Sequence, residues 1–157
     1  MTKKRQKIAF LFPGQGAQYP GMGKDFYESF PAAREIFEEA DEFLSMHFSK
    51  LIFEGPEQEL TLTKNSQMAI YIASSAILRA LKSQFPHIMP MVCAGLSLGE
   101  YTALFASGRV SFIEGLSLVQ ARGQYMNDAC EKTQGTMRVV LGMDDRTVAD
   151  LLPKMCG

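Results

Sequence analysis

Residues Gly95-Leu96-Ser97-Leu98-Gly99 follow the apolar run Met91-Val92-Cys93-Ala94 and lead straight into Glu100-Tyr101-Thr102-Ala103-Leu104-Phe105-Ala106. A G-x-S-x-G between a short apolar strand and a helix forces the chain to reverse within five residues. Flanking glycines remove the Cβ atoms that would block so tight a turn. The serine then stands on the rim of a sheet at the amino end of a helix, where free backbone N–H groups can meet developing negative charge. Ser97 is therefore a candidate nucleophile on a nucleophile elbow. The alternative is an ordinary strand-to-helix connection that happens to carry an exposed serine.

The rest of the chain alternates in the same way. Lys7 to Phe12 is a short apolar run broken by Pro13-Gly14, which suits a buried parallel strand. The segment Phe12-Pro13-Gly14-Gln15-Gly16-Ala17-Gln18 is a glycine-punctuated loop, either a plain turn or a place where backbone approaches a ligand closely. Pro31 to Leu44 reads as a helix with Ile36, Phe37, Ala40, Phe43 and Leu44 on one face. His47 to Phe53 adds a short helical piece ended by Gly55-Pro56. Thr63 to Phe85 is apolar over most of its circumference, the mark of an interior helix. Gly108 suits the C-terminal cap of the helix after Ser97. Ser111-Phe112-Ile113-Glu114 is a capping box opening a helix to about Cys130. Met137 to Gly142 reads as a strand, and Asp144 or Asp145 then caps a helix that reaches Leu152 before Pro153. Strands alternating with helices imply an α/β sheet. Gln134-Gly135 is the one credible subdomain boundary.

Composition excludes several classes of function. A net charge of -1 gives no basis for nucleic-acid binding, and the basic tip Lys3-Lys4-Arg5-Gln6-Lys7 has no interleaved aromatics. No stretch approaches the roughly 18 apolar residues of a membrane helix, and Ile8 to Phe12 is too short for a signal-peptide core. Cys93, Cys130 and Cys156 are odd in number and irregularly spaced, which argues against a disulfide framework or a zinc site. Cys93 reads as a small buried hydrophobe. These features fit a reducing, cytoplasmic compartment. The ten scattered methionines read as core filler.

Two further residue types bear on chemistry. Arg122 shares a helix face with Leu118 and Val119; there it either snorkels to solvent or meets a carboxylate through its two-pronged guanidinium. In the second case the substrate would be a dicarboxylic half-thioester. A serine nucleophile also needs a base. The only histidines are His47, among Met46, Phe48 and Leu51, and His87, between Pro86 and Ile88. Both read as packed, surface or loop residues rather than as the base. No His/Asp cluster suggests a metal.

Taken together, Phe12-Pro13-Gly14-Gln15-Gly16-Ala17-Gln18, Gly95-Leu96-Ser97-Leu98-Gly99-Glu100-Tyr101 and Arg122-Gly123-Gln124-Tyr125-Met126 closely resemble the malonyl-CoA:acyl carrier protein transacylases, in that family's order and spacing. The resemblance covers essentially all 157 residues but only about the first half of a family member. It implies transfer of a malonyl group from malonyl-CoA to the phosphopantetheine thiol of acyl carrier protein, in fatty acid biosynthesis and with no further cofactor. Ser97 would be the nucleophile, the backbone N–H groups of Gln15 and Leu98 the oxyanion hole, and Arg122 the partner of the malonyl carboxylate. Gln67 matches a glutamine near the family's active site. The implied fold is a hydrolase-like parallel-sheet α/β subdomain over residues 1–133. Residues 134–157 would begin an inserted ferredoxin-like α+β subdomain.

Two departures from the family pattern matter. Leu96 stands where a histidine usually precedes the nucleophile, so polar support for the bound acyl group is lost or replaced. The family's general base is a histidine from the second half, and the sequence stops at Gly157 before reaching it. The expectation is a fragment, with an uncovered sheet flank that leaves residues 1–157 poorly stable or prone to associate. Two competing expectations are a serine esterase or thioesterase of α/β-hydrolase type and a catalytically empty scaffold. The first gains nothing from the Gln15 loop or Arg122; the second rests on the absent base.

Overall fold

A computed structural model describes residues 7–133, 140 and 142–155. The elements are β1 (Ala9–Phe12), α1 (Lys24–Ser29), α2 (Pro31–Leu44), α3 (Phe48–Glu54), α4 (Glu57–Thr61), α5 (Thr63–Gln84), β2 (Val92–Gly95), α6 (Gly99–Ala106), α7 (Phe112–Thr133) and α8 (Asp145–Met155). This is a helix-rich α/β arrangement on a small parallel sheet. β1 and β2 pair directly, with Ala9 opposite Val92 and Phe12 opposite Gly95.

Strand alternation decides which side of the sheet meets the core. Phe10, Phe12 and Cys93 are partly buried against the hydrophobic cluster. The opposite face is bare: Leu11 is 76% exposed and Val92 58%. Neither strand is therefore fully buried, as a parallel strand usually is, because helices cover only one face among the described residues. Cys93 is correspondingly half-buried rather than enclosed.

The core is built around α5, whose near-continuous apolar sequence is explained by partners on several sides. Its Ala69, Ile70, Tyr71, Ile72, Ala73 and Ala76 are all essentially inaccessible. α2 packs on it through Ala33, Ile36, Phe37 and Ala40. Phe43, expected on the same stripe, sits at its rim and is exposed. α7 crosses α5 closely because two glycines permit it. A Cβ on Gly115 would lie 2.7 Å from Tyr71 Cζ, and one on Gly123 would lie 3.1 Å from Lys64 Cα. Tyr71 fills the seam, stacking on Phe112 and donating its hydroxyl proton to the Phe112 carbonyl at 3.1 Å.

Helix ends follow the sequence signals. The Ser111 N–H donates to Glu114 Oε2 at 2.7 Å, and the Glu114 N–H donates to Ser111 Oγ at 3.2 Å. The Ser111 backbone N–H, with the Ser111 side chain beside it, holds the Glu114 carboxyl below its usual range. Gly108 takes a left-handed φ of 72° just past α6, and its N–H closes on Phe105 O. Asp144 caps α8 by accepting from the Arg146 and Thr147 N–H groups. α8 continues through Pro153 to Met155 rather than stopping before it; a proline so near the end removes one backbone donor only. The short helices α1 and α4 were not foreseen, since five or six residues are too few to show a periodicity. The strand expected at Met137 to Gly142 lies largely outside the described residues, as does Cys156.

The α5–α7 seam yields a direct stability test. Alanine is ordinarily favoured over glycine in a helix interior by about 1 kcal/mol. At Gly115 the added methyl meets Tyr71, so Gly115→Ala is expected to destabilise the fold by about 1–3 kcal/mol in urea titration. A stabilised variant would show that the seam is not tightly packed.

Candidate active site

The turn carrying Ser97 joins the end of β2 to the start of α6 within three residues. Ser97 has φ of 52°, a left-handed conformation that non-glycine residues adopt at a cost of about 1–2 kcal/mol. Backbone bonds hold it there: Leu96 N–H to Phe12 O at 3.1 Å, Gly99 N–H to Leu96 O at 2.9 Å, and Glu100 N–H to Ser97 O at 3.2 Å. The surrounding space admits only glycine. A Cβ on Gly95 would collide with the backbone of Gly99 and Glu100, and one on Gly99 would lie 2.8 Å from Pro13 O. A Cβ on Gly14 would fall 2.6 Å from Leu96 O. The loop leaving β1 is thus pressed against the serine turn, and Ser97 itself remains exposed.

That contact positions the two expected backbone donors. Gln15 lies one residue beyond Gly14 at the turn, with its side-chain Nε2 3.3 Å from Thr63 Oγ1 at the start of α5. The Gly16 N–H is taken by Gln18 Oε1 at 2.8 Å. Leu98 is completely buried and caps the N-terminus of α6. Among the described residues, neither the Gln15 nor the Leu98 N–H donates to another protein group. Leu96 projects outward and is 72% exposed, leaving an apolar side chain beside Gly14 at the mouth of the turn.

Arg122 neither snorkels to solvent nor meets a carboxylate. Its Nη2 donates to Ser97 Oγ at 2.7 Å, and its Nη1 donates to Gln67 Oε1 at 2.5 Å. Gln67, on α5, is fully buried, and its Nε2 donates to the Met126 sulfur at 3.2 Å. The guanidinium also lies 6.0 Å from the centre of the Tyr101 ring. Beside it opens a groove of about 610 Å³ lined chiefly by Tyr101, Leu118, Tyr125 and Met126. The close crossing of α5 and α7 makes this possible, because Gly123 neighbours Arg122 and packs on Lys64, one turn before Gln67.

Ser97, Arg122, Gln67, Gln15, Leu96 and Leu98 therefore converge from four parts of the sequence. The histidines do not join them. His47 is highly exposed beside Asp41 at 3.8 Å, and His87 packs edge-on near Phe85. Among the described residues no cluster of His, Cys, Asp and Glu could hold a metal ion, and no helix is long and apolar enough to cross a membrane. Thr63 carried no sequence signal, and Tyr101 stood in the serine motif without a sign that its ring lies beside Arg122. Met126 stood only at the end of the Arg122-Gly123-Gln124-Tyr125-Met126 motif, among methionines read as core filler.

Known proteins are similar to this chain along most of its length. The acyl transferase domain family matches residues 9–152. A malonyl CoA-acyl carrier protein transacylase of Bacillus subtilis (strain 168) is 48% identical over 149 residues, which are 95% of this chain and 46% of that protein. An acyl-carrier-protein S-malonyltransferase structure from Bartonella henselae superposes with a TM-score of 0.77 at 38% identity, over 93% of this chain and 47% of that one. A malonyl-transacylase solved in complex with its type II PKS acyl-carrier protein gives a TM-score of 0.75 at 39% identity, over 79% and 40%. The chain spans about half the length of the curated relatives it matches. Matched by the family's model over most of its length, this chain belongs to the acyl transferase domain family.

Proposed function

We propose that this chain carries the acyl-binding part of a malonyl-CoA:acyl carrier protein transacylase working in fatty acid biosynthesis, with Ser97 as nucleophile on a nucleophile elbow. The observation that carries it is the 2.7 Å bond from Arg122 to Ser97 Oγ, which puts a fixed cation within reach of whatever is esterified there. A guanidinium is matched to a carboxylate by two parallel N–H groups. An acyl group bearing a terminal carboxylate is thereby preferred over an uncharged one of similar size.

In the proposed reaction, Ser97 Oγ attacks the thioester carbon of malonyl-CoA. The C–O bond forms, the C–S bond breaks, and coenzyme A leaves as its thiol with the proton taken from Ser97. The phosphopantetheine thiol of acyl carrier protein then attacks the malonyl-serine ester; the C–S bond forms, the C–O bond to Ser97 breaks, and the thiol's proton passes to Ser97 Oγ. The tetrahedral oxyanion of each step is met by the N–H groups of Gln15 and Leu98, both without another partner among the described residues. As malonyl binds, Arg122 Nη2 passes from Ser97 Oγ to the malonyl carboxylate while Nη1 stays on Gln67. Neither His47 nor His87 is bonded to the serine, and the resemblance assigns the base that takes the Ser97 proton to a histidine of the family's second half. Leu96 stands where a histidine usually does, so polar support for the bound acyl group is lost there or replaced by another group. We also assign residues 134–157 to the start of a ferredoxin-like subdomain beside a hydrolase-like one, and place the protein in the cytoplasm.

Two measurements test this. Residues 1–157, alone and with a polypeptide matching the second half of its relatives, are incubated with malonyl-CoA or acetyl-CoA and Ser97 ester formation is followed by intact mass. Malonyl labelling is expected to dominate, and Arg122→Ala to reduce that preference by about 10- to 100-fold, the value of one charge-assisted hydrogen-bonded pair. Equal labelling by both thioesters in the unaltered protein would instead favour an esterase or thioesterase. Separately, Gly14→Ala pushes the Gln15 loop off the turn and should slow labelling by both thioesters about 100-fold, the usual cost of losing one oxyanion donor. An unchanged rate would remove Gln15 from the oxyanion hole.

A further inference from the structure

The Gln67 amide is enclosed, and its two ends face different partners. Its carbonyl oxygen accepts from Arg122 Nη1, and its NH₂ group donates to the Met126 sulfur at 3.2 Å. The side chain is wholly inaccessible, so water is not at hand to replace either partner. Arg122 can only donate, which requires the oxygen of Gln67 to face it and leaves the NH₂ in need of an acceptor at the other end. Arg122 and Met126 are four residues apart on α7 and so lie one turn apart on the same face, bracketing Gln67 from α5. We propose that Met126 is a positioning residue: its thioether sulfur anchors the Gln67 amide, and the amide in turn aims the Arg122 guanidinium at the Ser97 oxygen.

The chemistry follows from the two ends of one amide. Without an acceptor at position 126, the buried NH₂ must rotate to find another partner. That rotation draws the carbonyl oxygen away from Nη1. The guanidinium then keeps its charge but loses the bond that fixes its plane, and a carboxylate on the Ser97 ester meets a mobile donor instead of a fixed pair. Met126 touches neither Ser97 nor the acyl group in this scheme; it acts through Gln67. This rests on the malonyl-selective function proposed above, although the orientation of the amide can be tested without it.

The experiment compares Met126→Leu, which conserves volume and removes the acceptor, with Met126→Gln, which returns a carbonyl oxygen at similar reach. In ¹⁵N-labelled protein the Gln67 side-chain NH₂ should give a slowly exchanging proton pair that loses protection in Met126→Leu and regains it in Met126→Gln. The malonyl-over-acetyl labelling ratio at Ser97 should fall about tenfold in Met126→Leu, as the loss of one buried hydrogen bond implies, and recover in Met126→Gln. Urea midpoints of both variants establish that the fold is intact. Protection and ratio unchanged in Met126→Leu, or no recovery in Met126→Gln, would overturn the proposal and leave Met126 as packing alone. If the unaltered protein shows no malonyl preference, the function proposed above fails, while the exchange result still decides whether Met126 anchors Gln67.

Discussion

The hydrogen bond between Arg122 and Gln67 joins two helices through residues 55 apart in sequence, and the candidate site depends on it. An arginine on a half-exposed helix face has little reason to hold one rotamer, because its side-chain entropy is large and water satisfies it well. Fixing Nη1 on a buried amide changes that balance. The other prong is left free to reach Ser97, and the serine's own geometry is set independently by a turn that only glycines allow at its corners. Two rigid supports, one backbone and one side chain, therefore meet at a single oxygen.

Close approach is the shared physical device. Gly14, Gly95 and Gly99 let three backbone segments touch around the serine, and Gly115 and Gly123 let α7 lie directly on α5. In the turn, the missing side chains permit backbone curvature and contact; in the seam, they permit short side chain-to-side chain reach across two helices. The buried length of α5 pays for the second arrangement, since its apolar surface against α2, α6 and α7 supplies the packing that keeps Gln67 enclosed. The exposed apolar face of the sheet, with Leu11 and Val92 outward, contrasts with this well-covered seam.

Much of this was legible from residues because it is local. The G-x-S-x-G turn, the capping box at Ser111 and Glu114, the glycine after α6 and the Pro31–Leu44 helix each depend on a few neighbouring positions, and each has a direct physical cause. The environment of Arg122 was not legible in the same way. Its face on α7 could be counted, but its partner lies on another helix, and helical spacing holds no information about which buried polar group comes opposite. The family resemblance brought Gln67 into view without its bonds. Likewise, apolar runs at β1 and β2 announced buried strands, whereas burial depends on how many layers cover the sheet. Here only one face is covered among the described residues.

The central claim is that Arg122 is held ready for a carboxylate at the Ser97 oxygen. A crystal structure of the protein trapped as its malonyl-Ser97 ester tests this most directly. The account requires the Arg122 guanidinium within hydrogen-bonding distance of the malonyl carboxylate, with Nη1 still on Gln67 Oε1. A carboxylate turned to solvent, with the guanidinium bonded elsewhere, would contradict it.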